Sequence, residues 1–138
     1  MWDYEHSVET TAAPQALWQL WADVESWGSW NAEIERVEID GPFAVGSQIL
    51  MTPPGDEPIQ LRIAEVVNGE LFVDEARFDE LLIRTAHRLD RLDCGRVRVV
   101  YRMEITGAGA DQVGPEIGPA ITADWPETMA SLVELAQR

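Results

Sequence analysis

The sequence predicts a single α+β domain over residues 1–138, with an antiparallel sheet, two short helices near the start and a longer helix at the end. Three observations carry this. The first ten residues alternate between apolar and polar, residues 34–106 are cut by Gly, Pro and Asn into short strand-like runs, and apolar residues recur at helical spacing near both ends. Short turns between strands require antiparallel pairing, because parallel strands need long crossovers.

From Trp2 to Thr10, the residues Trp2, Tyr4, His6 and Val8 share one face while Asp3, Glu5, Ser7 and Glu9 share the other, the pattern of a half-buried strand. A first helix is expected from Pro14 to Ala22, since Pro suits the opening turn and Leu17, Leu20, Trp21 and Val24 recur at helical spacing. Residues 23–30, interrupted by Gly28, form a second, very short helix carrying Trp27 and Trp30. Strands follow at Ile34–Ile39, Val45–Thr52, Ile59–Val67, Leu71–Arg77, Leu81–Arg91 and Arg96–Thr106, which with the first makes seven. The stretch GAGADQVGPEIG reads as a flexible, glycine-rich connection to a final helix from about Pro119 to Arg138. Pro126 should kink that helix near Thr122, or else mark its true start.

Composition narrows the function classes. Twenty-five acids against ten bases leave a net charge of −15, a field that repels phosphate backbones and anionic headgroups and argues against nucleic acid or membrane as partner. All ten bases are Arg. The N-terminal MWDYEHSVETT has acids where a secretory signal has bases followed by an apolar run, so a cytoplasmic location is expected. Cys94 is the single cysteine, between Asp93 and Gly95 in an expected hairpin turn, and no Cys/His spacing suggests a metal site.

The segments "P-x3-W-x2-W" into DVESWGSWN, then DGPFAVGSQI, PPGDEPIQLRIAEV, HRLDRLDCGRVRVVYRMEITG and the terminal MASLVELAQ, in that order, resemble the bacterial polyketide cyclase/dehydrase-like members of the START-like (SRPBCC) superfamily. That resemblance implies a helix-grip fold: a seven-stranded antiparallel sheet curved around a long C-terminal helix, with two short helices after the first strand and a cavity between sheet and helix. It implies no particular reaction and no cofactor, because one fold carries many functions.

Strand parity gives a separate reading of the cavity wall. If Val8 points inward, so do Tyr4 and His6; Ile83, Thr85, His87 and Leu89 share a face, as do Tyr101 and Met103. Ile49 and Met51, with Leu61 and Ile63, are expected on the same wall, closed by Trp125 and Met129 from the terminal helix. The inward member of the pair Asp74 and Glu75 is left open by the local pattern. On the outer face, Arg84, Arg88, Arg96, Arg98 and Arg102 are expected to form a charge ladder with Asp3, Glu5 and Glu9.

An apolar wall with isolated polar tips suits a binder or carrier of a small hydrophobic metabolite. The competing readings are an aromatase/cyclase or dehydratase, with His87 as acid/base and Tyr101 orienting a carbonyl, and a protein-interaction module whose surface matters more than its cavity. His87 is equally consistent with a hydrogen-bonded core histidine held by Tyr101 or Thr85.

Overall fold

The structure is a computed structural model and describes residues 1–138. Seven strands form one antiparallel sheet: β1 (Trp2–Thr10), β2 (Arg36–Ile39), β3 (Gln48–Thr52), β4 (Ile59–Val67), β5 (Leu71–Phe78), β6 (Leu81–Arg91) and β7 (Val97–Gly107). Their order across the sheet is β1-β7-β6-β5-β4-β3-β2, a meander with the first strand added beside the last. Helix α1 (Pro14–Ala22) and a 3-10 turn over Val24–Ser29 follow β1, as the sequence predicts.

Alternation survives best where one face is wet. Along β6, Ile83, Thr85, His87 and Leu89 are buried while their neighbours are half-buried, and Met103 and Tyr101 continue that face on β7. Against it packs a core containing Leu17, Trp21, Ile49, Ile63, Phe72, Met129 and Leu132. Cys94 is exposed in the β6–β7 connection.

The end of the chain corrects the sequence reading. Residues Ala110–Thr122, expected to be largely a flexible connection, form helix α2 despite Pro115 and Pro119, and helix α3 follows at Trp125–Ala136 with Pro126 in its first turn. The break at Ala123 and Asp124 falls where Pro126 is expected to kink or start the helix, so the correction concerns only the segment before Pro119, which is helical. The glycines of α2 serve close approach. Ala110, Gly114, Gly118 and Thr122 recur every fourth residue and are all buried, and a Cβ built at Gly114 or Gly118 would run into Trp2. A stripe of small residues lets α2 press against the indole where larger side chains would hold it away.

This packing sets two effects against each other in Gly118→Val. Helix propensity favours the substitution. Overpacking against Trp2 opposes it, and we expect a net loss of about 1–3 kcal/mol by denaturant titration. A more stable variant would show that α2 does not need this approach.

The outer-face ladder forms in part. Arg102 pairs with Asp3 at 2.6 Å and Glu5 at 3.8 Å, while Arg96 and Arg98 reach Glu9 at 3.2 and 3.4 Å. Arg84 and Arg88 depart from the expectation. They lie on β6, with β7 between them and β1, and they take nearer acids: Arg84 bridges Glu65 and Glu75 at 2.9 and 3.0 Å, and Arg88 binds Asp90 at 2.8 Å.

Candidate functional site

A cavity of about 400 Å³ lies between the inner face of the sheet and the α2–α3 bend. Its sheet wall is built from register. The cross-strand rows Phe72, His87, Tyr101 and Asp74, Thr85, Met103 place six side chains on one face of β5, β6 and β7. Met51, Ile59 and Leu61 extend the wall from β3 and β4, and Ala76, Phe78 and Ile83 close one end. Trp27, Trp30 and Ile34 come from the turn after α1 and the loop beyond it, while Ile121, Asp124, Trp125 and Thr128 come from the bend. Exposed Glu33, Phe78 and Ile121 mark the mouth.

The deep end is aromatic and tightly oriented. His87 stacks flat on Phe72, with ring centres 3.9 Å apart, and meets Tyr101 and Trp21 edge-on. Its Nδ1 lies 3.3 Å from the Phe72 carbonyl oxygen, which can only accept, so Nδ1 carries the proton and Nε2 presents a lone pair. Neither Tyr101 nor Thr85 supplies the hydrogen bond expected for a core histidine. Tyr101 instead accepts a hydrogen bond from Trp21 Nε1 at 3.2 Å, leaving its own O–H free to donate.

The structure resolves which carboxylate of β5 points inward. Asp74 is 7% exposed and lines the cavity, with Oδ2 4.0 Å from His87 Nε2, too long for a direct hydrogen bond. Glu75 faces outward to Arg84. Burial disfavours charge on each inward group. It pushes Asp74 up to about 7, with the neighbouring Glu75 charge adding to the shift. It lowers His87 to about 3 against the smaller opposing effect of the Phe72 carbonyl, and raises Tyr101 above its ordinary range. The pair is therefore one protonated carboxyl facing one neutral imidazole at mildly acidic pH. Trp30, also on the wall, holds a buried Nε1–H without a partner.

Of the residues expected from sequence, Met51, Leu61, Ile83, Thr85, His87, Tyr101, Met103 and Trp125 line this cavity. Tyr4, His6, Ile49, Ile63, Leu89 and Met129 do not. Tyr4 and His6 share the inner face but sit on the edge strand beyond β7, where Tyr4 packs against Trp2 and Trp125 and is 39% exposed. Ile49, Ile63 and Met129 are fully buried in the core, and Leu89 lies on β6 at the end remote from Ile83. Trp27, Trp30, Phe72 and Asp124 were not anticipated. Phe72 lies on a stretch of β5 where Phe72, Val73 and Asp74 are buried in succession, so parity gives it no signal, and the loop residues depend on tertiary placement.

No family model and no curated protein matches the sequence. Solved structures do. Norcoclaurine synthase from Thalictrum flavum superposes with a TM-score of 0.77 at 15% identity, over 99% of this chain and 87% of that one. A START superfamily protein from Mycobacterium smegmatis gives 0.72 at 13% identity, over 96% and 97%. The di-domain ARO/CYC protein BexL from the BE-7585A biosynthetic pathway gives 0.78 at 15% identity, over 99% of this chain and 47% of its own. At such identities the likeness concerns architecture. The chain has the helix-grip fold of the START-like (SRPBCC) superfamily.

Proposed function

We propose that the protein binds a small hydrophobic molecule in the cavity between the sheet and the α2–α3 bend. The observation that carries this is the cavity itself: about 400 Å³, with 16 of 24 lining residues hydrophobic and polar groups at a few fixed points. Apolar area supplies affinity, and Asp74, Thr85, His87 and Tyr101 supply orientation.

Ala76→Phe tests it. Ala76 is buried on the cavity wall, so a benzyl group there takes up ligand space. Native mass spectrometry of freshly purified protein should find a retained apolar molecule, or a panel of apolar metabolites should raise the melting temperature, in the wild type and not in Ala76→Phe. A wild type that retains nothing and responds to no member of the panel defeats the proposal.

A second reading, proton-transfer catalysis with His87 as base and Tyr101 as donor to a carbonyl, is favoured by one observation. The Phe72 carbonyl fixes the tautomer that leaves Nε2 unprotonated on the cavity wall, beside a phenol whose proton is free. It ranks second because burial that lowers His87 to about 3 also weakens it as a base. His87→Ala leaving turnover of a genuine substrate intact would remove it.

A further inference from the structure

The cavity wall carries carboxyl groups and no guanidinium. Asp74, Glu33 and Asp124 line it beside His87 and Tyr101, and none of the ten arginines does. Asp74 is the group that matters, because it is nine-tenths buried and the nearest basic atom, His87 Nε2, is 4.0 Å away on a ring that burial keeps neutral. The outward acids beside it, Glu75 on β5 and Glu65 on β4, share Arg84. Asp74 has no arginine. A buried carboxylate without a counter-charge is costly, and burial pushes Asp74 up to about 7. The same cavity wall carries the aromatic rings of Phe72, Tyr101, Trp27, Trp30 and Trp125, whose faces attract cations.

We propose, resting on the cavity-binding reading above, that the ligand is an aromatic or similarly apolar amine, its ammonium against the Asp74 carboxylate and its apolar body among the tryptophans of the wall. A protonated amine supplies the charge that the protein leaves out. An anionic ligand would meet three carboxyl groups and no cationic side chain. The net charge of −15 draws cations toward the mouth and repels anions from it.

The test uses three probes with one apolar body: 2-(1-naphthyl)ethylamine, 2-(1-naphthyl)ethanol and 1-naphthylacetate, titrated calorimetrically into the intact protein at pH 8 and physiological salt. The amine should bind roughly tenfold or more tighter than the alcohol, and the carboxylate weakest. Asp74→Asn should abolish the amine's advantage over the alcohol. That substitution removes one of 25 acidic charges, so general attraction to the protein survives it and direct pairing does not. An alcohol or carboxylate binding as tightly as the amine overturns the proposal and leaves the cavity reading standing, as does an amine preference unchanged by Asp74→Asn. Failure of all three probes to bind overturns both.

Discussion

Asp74→Asn and His87→Gln are expected to tilt the pH dependence of stability in opposite directions, each by about 3 kcal/mol relative to wild type between pH 6.5 and pH 4. In the unfolded chain over that interval, the histidine holds a proton and the aspartate does not. In the folded protein burial reverses the assignment: Asp74, raised from 3.8 to about 7, keeps its proton, and His87, lowered from 6.5 to about 3, does not. Both states hold one proton on the pair, so the pair contributes almost no slope in the wild type. Asp74→Asn leaves a histidine that must lose its proton on folding, so stability falls as pH falls from 6.5 toward 3. His87→Gln leaves a carboxyl that gains one, so stability rises as pH falls from 7 toward 4. The slope in each case is about 1.4 kcal/mol per pH unit. Urea titrations of the three proteins at half-unit steps measure it, and taking each variant against wild type cancels the remaining carboxylates. Parallel profiles would show that the two groups are better solvated than the cavity geometry implies.

The same pair marks where sequence reading succeeds and stops. Parity places His87, Thr85 and Ile83 on the inner face because β6 keeps a strict alternation, its other face being partly wet. The choice between Asp74 and Glu75 could not be read the same way. Phe72, Val73 and Asp74 are all buried in succession, so β5 shows no period-2 signal at the position that matters. Only pairing settles it: Asp74 lies opposite Thr85, and Glu75 opposite Arg84. The α2 segment was obscured for a different reason. Its glycines and prolines carry the composition of a loop, and the small residues at every fourth position acquire meaning only once Trp2 is known to lie beneath them. Likewise, parity correctly gives Tyr4 and His6 the inner face, but a face is wider than a cavity, and the edge strand lies outside this one. Local pattern reports orientation across a strand; distance along and across the sheet comes from register and from what packs above.

Trp21 should be the most costly single truncation near the site, and comparing two substitutions there separates its roles. It is fully buried on α1 and meets Phe72, His87 and Tyr101 with ring centres 5.4–6.1 Å apart, so it forms the packed backing of the cavity's aromatic end without lining the cavity. Trp21→Ala removes that backing and is expected to cost about 3–5 kcal/mol. The Trp27 indole, which donates to the Trp21 backbone carbonyl at 2.9 Å, keeps its partner in the variant, so the loss reports side-chain packing. Trp21→Phe preserves much of the volume but deletes the Nε1–H that holds the Tyr101 hydroxyl at 3.2 Å, a further cost of about 1 kcal/mol for that bond beyond the packing change. A Trp21→Phe, Tyr101→Phe double-mutant cycle isolates it. If Tyr101 is oriented by this hydrogen bond, Trp21→Phe should also weaken any ligand that accepts from the phenol while sparing one that binds through Asp74 alone. Equal losses for both kinds of ligand would mean that Trp21 acts only by holding the wall in place.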